Sequence, residues 1–251
     1  MTKQWRFRTW VFASLILFCC RHSSGFDSYA ITSRSVHDKI TAEASQRLKI
    51  DTSHKLQEAV RAPDWEETTL SGLRLRPNAQ YDASHHFDRG PNQTHVQAFA
   101  TAANYVRTER EKCIVFAKSG KHDAALASLG RVLHAVQDLV SHSNLIDLTE
   151  QDRAAVVDSL WSGLNPPSPI KLTGYDPHAA EPGEPTGDDF SHDSFSKDNA
   201  NKNDECRLLI GNKSKFSVAY DLAVDLSTDI LQNLKSELTP EQWNRLSALL
   251  K

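Results

Sequence analysis

The residues best suited to chemistry lie in ALASLGRVLHAVQDLVSHSN (125–144), where His134, Asp138 and His142 recur every four residues. On an α-helix, at about 100° per residue, the three span about 80° of arc and form one polar stripe. Beside it runs an apolar face of Leu129, Leu133, Val136, Leu139 and Val140. Imidazoles and a carboxylate on one helix face are metal-ligand chemistry. Ala127, Gly130 and Ser141 share the stripe; small side chains let a neighbouring segment and an ion come close, a reason for a helix to tolerate the roughly 1 kcal/mol cost of Gly130. A solvated face or a hydrogen-bonded core is the competing reading. The strong apolar stripe and the lack of a basic residue among the three favour metal.

Further residues of ligand type occur elsewhere, and the elements that position them can be read in order. Ser35 reads as the N-cap of a helix over 35–50, with Ile40, Ala44 and Leu48 on one face and His37 in the first turn. A short helix over 53–61 is expected to end at Ala62-Pro63-Asp64-Trp65, since Pro63 cannot continue an interior ladder; Asp64 then lies just past the helix or at the start of the next turn. Residues 66–91 show no sustained period and read as irregular. They contain Ser84-His85-His86-Phe87-Asp88, a histidine pair of a kind common on surfaces. A long helix over 94–119 is stopped by Gly120, followed by the central helix over 122–143 and another over 149–163. Six prolines within 165–187 predict a long exposed loop, and the polar run 188–205, with His192, reads as a solvated one. Helices over 215–238 and from Pro240, well placed in a first turn, complete the chain. The fold class expected is therefore all-α, a multi-helix bundle with long Pro-rich loops. The candidate ligands are His37, Asp64, His86, His134, Asp138, His142 and His192, whose N and O donors suit zinc; clustered zinc ions can activate water and clamp phosphate oxygens.

The chain has 251 residues and a net charge of -3 with both signs interspersed. No stable nucleic-acid partner is implied by that balance, although a nuclease whose metals hold the phosphate stays open. Lys3, Arg6 and Arg8, the apolar run 10–20, and the small residues Ser23 and Gly25 have the build of a secretory signal peptide over 1–25. About 11 apolar residues are too few to span a bilayer. A single helical metal-binding domain over 26–251 and a secreted or extracellular location are expected. In an oxidising compartment Cys113 and Cys206 would form one disulfide, and Asn92 and Asn212 head glycosylation sequons. Trp65, Phe87, Trp161 and Tyr175 are candidates for transient membrane-surface contact, though aromatics in a helical domain are more often core.

The motifs HDKITAEA (37–44), APDW (62–65), HHF (85–87) and LGRVLHAVQDLVSHSN (129–144), in this order, resemble the zinc-dependent phospholipase C and single-strand nuclease superfamily. The likeness is greatest to its Het-C-like branch, including the amino-terminal region of von Willebrand factor A domain-containing relatives. It implies a mainly helical bundle of the phospholipase C/nuclease type with two or three zinc ions in a cleft. The mature amino terminus, Phe26, would bind metal through its amine and carbonyl, alongside His37, Asp64, His86, His134, Asp138 and His142, with Asp138 bridging two ions. Three residues separate Asp138 from His142, the spacing of the Het-C-like branch, whereas the catalytic branches place five there. No closing His-x-x-x-Glu/Asp appears near Asp221; instead Phe190-Ser191-His192 through Lys197-Asp198 is similar to the late segment of Het-C-like proteins. The implied reaction is hydrolysis of a phospholipid or other phosphodiester by metal-activated water, with Asp64 as the catalytic residue that orients or deprotonates it. A single-strand-type nuclease and a non-catalytic Het-C-like interaction module that keeps the metal-site fold are the alternatives.

Overall fold

A computed structural model describes residues 35–50, 54–67, 81–166, 169–174, 190–201 and 203–250. The 1–25 segment, Phe26, Tyr175 and most of the Pro-rich stretch lie outside the described residues. The helices are α1 (Val36–Arg47), α2 (His54–Glu67), α3 (His95–Lys118), α4 (His122–Ser141), α5 (Glu150–Ser162), the single turn α6 (His192–Phe195), α7 (Lys215–Glu237) and α8 (Pro240–Leu249). A small antiparallel hairpin pairs β1 (Leu209–Ile210) with β2 (Lys213–Ser214). The chain is an all-α multi-helix bundle, as expected. Among the described residues no helix is long and apolar enough to cross a membrane.

Side chains at the helix ends explain where the elements begin. Ser35 accepts from the Asp38 N–H while the Asp38 carboxylate accepts from the Ser35 N–H, a reciprocal cap that places His37 in the first turn of α1. Thr94 with Gln97 does the same for α3, and Thr239 with Gln242 for α8, where Pro240 takes the first helical position. Gly163, in the left-handed conformation, ends α5.

The bundle is built around α4, which packs against α2, α3, α7 and α8, while α1 lies on α2 and α7 and α5 lies on α3. Residues 132–143 are buried without a break. The helix is thus not divided into an apolar face and a wet stripe. Its polar side chains have to be satisfied by other side chains.

Three expectations are corrected. The second helix does not stop at Arg61 but continues through Pro63 to Glu67, which puts Asp64 inside its final turn. Pro63 has no N–H to give the Ala59 carbonyl one turn earlier, and that carbonyl is where α2 meets α4 most closely. A Cβ built on Gly130 would lie 2.4 Å from the Ala59 carbonyl carbon and oxygen. Leu56, Val60 and Pro63 are buried at this crossing, so packing against α4 sustains the helix past its missing bond. Second, Cys113 and Cys206 form no disulfide: both are buried thiols in different layers of the bundle. Cys113 sits on α3, whereas Cys206, in the 3-10 turn Glu205–Arg207, directs its Sγ to the Ser196 carbonyl at 3.5 Å. Third, the polar run after 188 is not simply a solvated loop, since Ser191, His192, Ser196, Lys197 and Asp198 are all buried.

Candidate metal centre

Three helices and one turn deliver the first group of ligand-type side chains. His37 comes from α1, Asp64 from α2, His134 and Asp138 from α4, and His86 from the end of the 3-10 turn Ala83–His85; all five are buried. His86 Nδ1 and His134 Nε2 face each other at 3.0 Å, and Asp138 Oδ2 stands 3.1 and 3.0 Å from them. Asp138 Oδ1 is 3.3 Å from His37 Nε2. Asp64 Oδ1 lies 3.7 Å from both His86 Nδ1 and His134 Nε2, with Oδ2 3.9 Å from His37 Nε2. His37 is held from behind by Gln137, whose Oε1 accepts from Nδ1 at 2.7 Å while its amide donates to the Thr41 and Ser227 hydroxyls. Nε2 of His37 is thereby turned to the carboxylates.

A second group gathers where α4 ends. His142, the C-cap of α4, donates from Nδ1 to the His86 carbonyl at 2.6 Å; because a carbonyl only accepts, its Nε2 is the nitrogen presented inward. That Nε2 faces His192 Nε2 at 3.1 Å and Asp198 Oδ1 at 3.1 Å. Asp88 Oδ1 stands 3.5 Å from His142 Nδ1 and Oδ2 3.9 Å from His192 Nε2. Asp88 is fixed by the Tyr81 and Thr173 hydroxyls, and Asp198 by those of Ser141 and Ser196. The strand-like segment 169–174 ties these loops together: Arg89 N–H donates to Thr173 O, Thr173 N–H to His142 O, Gly174 N–H to Phe190 O and His192 N–H to Gly174 O. Buried Lys197 donates from Nζ to the Ser143 and Phe195 carbonyls, pinning the late loop to the end of α4.

One strained residue sits between the two groups. Phe87 has φ +51°, in the left-handed region that a side chain with a Cβ adopts only under constraint. Its ring is wholly buried against Phe99, edge to face at 5.7 Å. With that anchor in the core, the residue before it sends His86 to the first group and the residue after it sends Asp88 to the second.

Electrostatics follow from this crowding. Burial alone would lower the His37 and His86 pKa values, but Asp138 outweighs it for both, aided by Asp64 at His37 and Glu67 at His86, and both are raised. Burial likewise works against His142, yet Asp88, Asp138 and Asp198 bring it up to about 9. Burial would raise Asp138, but His134, His142 and His37 hold it well below the usual carboxylate range. Two imidazole nitrogens facing each other at 3.0 or 3.1 Å beside an aspartate need a proton or a cation between them. This donor chemistry fits a metal ion, and three sets of side chains could hold one: His37, Asp64 and His134; His86, His134 and Asp138; and Asp88, His142 and His192.

Of the residues singled out in the sequence, His37, Asp64, His86, His134 and Asp138 come together in the first group and His142 and His192 in the second; Phe26 lies outside the described residues. Asp88, Glu67 and Gln137 received no role from sequence reasoning, and Asp198 entered only through the likeness of the Lys197-Asp198 segment to Het-C-like proteins. Asp88 follows His86 by two residues, a spacing that serves two sites only because Phe87 takes its unusual backbone. Glu67 is three residues after Asp64, a same-face spacing hidden by reading Pro63 as a helix end. No protein-family model, curated protein or solved structure matches this chain. Fold and centre together define an all-α bundle whose buried histidines and aspartates could bind metal.

Proposed function

We propose that this chain is a secreted, zinc-dependent phosphodiester hydrolase of the phospholipase C-like kind. The reading rests chiefly on the two facing imidazole couples, His86 with His134 and His142 with His192, each sharing an aspartate within one continuous buried centre. His37, Asp64, His86, His134 and Asp138 would hold ions on one side, and Asp88, His142, His192 and Asp198 on the other. When bound, zinc supplies Lewis acidity and lowers the pKa of a coordinated water. Asp64, whose Oδ1 is 3.7 Å from two ring nitrogens, would be the carboxylate to orient a water there and accept its proton. An open depression of about 460 Å³ lined by Glu67, Tyr81, Asp82, Ala83 and His85 adjoins the centre through Glu67 and Tyr81, and a substrate would approach from that side. Phospholipid is the favoured substrate, with single-stranded nucleic acid as the alternative. Secretion rests on the build of residues 1–25.

One observation favours a non-catalytic, metal-stabilised module as the second reading: every side chain in the two groups is buried, and closed ligand sets are typical of structural metals. Metal analysis of the purified protein, followed by assays on phosphatidylcholine, phosphatidylinositol and single-stranded DNA with a chelator control, separates the two. Chelator-sensitive hydrolysis that disappears in folded His134→Ala and Asp138→Ala supports the enzyme. Bound zinc without turnover on any substrate supports the module, and a metal-free active protein overturns both.

A further inference from the structure

Glu67 closes α2 one turn after Asp64, and its carboxylate is engaged on three sides. Oε1 accepts from His85 Nδ1 at 2.5 Å, Oε2 accepts from the Asp82 N–H at 3.0 Å, and Oε2 stands 3.4 Å from His86 Nε2. Opposite that contact, the other ring nitrogen of His86 points at His134 and Asp138. The Tyr81 ring stacks on His86 at 4.9 Å and 8°, restricting the imidazole to one plane. Within that plane, the positions of Glu67 and Asp138 decide which nitrogen faces which way.

We infer that Glu67 is the positioning residue for His86, holding the ring through Nε2 so that Nδ1 is the nitrogen offered to metal. This rests on the metal-binding reading above. The other two histidines with a resolved orienting partner use neutral acceptors: Gln137 for His37 and the His86 carbonyl for His142. At Nε2 of His86 the neighbour is a carboxylate with no neutral acceptor beside it among the described residues, whereas His142 Nδ1 has the His86 carbonyl at 2.6 Å and Asp88 Oδ1 only at 3.5 Å; an anionic partner behind a ligating imidazole both fixes the ring and strengthens its donor nitrogen. α2 therefore supplies two carboxylates to one imidazole, Asp64 toward Nδ1 and Glu67 at Nε2. Glu67 also lines the depression beside the centre, so the same side chain belongs to the wall a substrate would meet and to the support of a metal ligand.

The test is metal binding by the full-length protein, with Co(II) absorption and Zn(II) competition as readouts and circular dichroism as the control for folding. In Glu67→Ala, affinity of the first group is expected to fall by about 10–100-fold. Glu67→Gln, which keeps an acceptor for Nε2–H but loses the charge, is expected to fall between Ala and wild type. Ring ¹⁵N shifts of the zinc-loaded wild type should show His86 bound through Nδ1 and protonated at Nε2. Wild-type affinity in folded Glu67→Ala, or His86 bound through Nε2, overturns the inference while leaving the metal reading intact. Should Glu67→Ala not fold, Glu67→Gln decides: weaker binding supports the role and wild-type affinity overturns it. Absence of metal binding by the wild type removes both this inference and the reading beneath it.

Discussion

The two halves of the centre are made in different ways. The first is set mostly on helices, with α1, α2 and α4 contributing four of its five side chains, and its geometry follows from how those helices pack. The second is set mostly outside the long helices: Asp88 lies on the connection before α3, while His192 at the start of the single turn α6 and Asp198 just after it share the connection between α5 and α7, and they meet at the end of α4 through a handful of backbone bonds with 169–174. A helix-borne site is rigid because moving one ligand means moving a packed helix. A loop-borne site can open locally while the bundle stays folded. The first group is therefore expected to open only with the whole bundle, and the second in a local equilibrium that a bound ion would bias.

Removing a ligand from each half should expose this contrast most strongly. Asp138 is wholly buried between His37, His86 and His134, so Asp138→Ala leaves imidazoles without their counter-charge and is expected to cost about 3–5 kcal/mol in a urea titration of the whole protein. Asp198→Ala strips His142, Ser141 and Ser196 of one acceptor. Its expected cost is about 1–3 kcal/mol, with lost hydrogen-exchange protection confined to 190–198 and 169–174. Equal, global effects of the two substitutions would erase the distinction drawn here.

A smaller change tests the helical half without touching a ligand. Gly130→Ala places a methyl 2.4 Å from the Ala59 carbonyl, so α2 has to shift away from α4 at a cost of about 1–3 kcal/mol. Asp64 and Glu67 ride on the same helix, one and two turns further on. Metal affinity of the first group should weaken together with stability, whereas the second group should bind as before. Parallel Co(II) titrations of Gly130→Ala and wild type read both effects.

Legibility in the sequence divides along the same line. Helix periodicity put His134 and Asp138 on one face and His37 in a first turn, because those placements depend on local spacing alone. Asp64 was named but misplaced: the rule that Pro ends a helix is local, and its exception here depends on Gly130, 67 positions after Pro63. Asp88 carried no local mark, and Asp198 was marked only by the likeness of the Lys197-Asp198 segment to Het-C-like proteins. The first depends on a left-handed Phe87 that only core packing enforces, the second on the Ser141 hydroxyl reaching across from α4 and on Lys197 pinning its loop to the Ser143 carbonyl. In α4 the shared face of His134, Asp138 and His142 was legible, but periodicity does not show that neighbouring elements cover that face too, as they do over 132–143.

Cys113 and Cys206 report on the two halves separately. Cys113 lies in the helical core on α3, and burial pushes its thiol up to about 12. Its folded-state pKa is thus above that of an unfolded cysteine near 8.5, so the stability it contributes is complete below about pH 8.5 and is lost only as pH climbs toward 12. Cys206 is tied instead to the loop-borne half, its Sγ directed to the carbonyl of Ser196, whose hydroxyl holds Asp198. In the protein spanning 26–251, without Cys19 and Cys20, alkylation at pH 8 under non-reducing conditions should find both thiols protected in the native state and two reactive thiols after unfolding, as expected when Cys113 and Cys206 form no disulfide. Chelation should then separate them, with Cys206 labelled several-fold faster as the loops around Asp198 open and Cys113 labelled only at the rate of global unfolding. Labelling of both at one rate after chelation would mean that the loop-borne group opens only with the whole bundle, and that the two halves form a single cooperative unit despite their different construction.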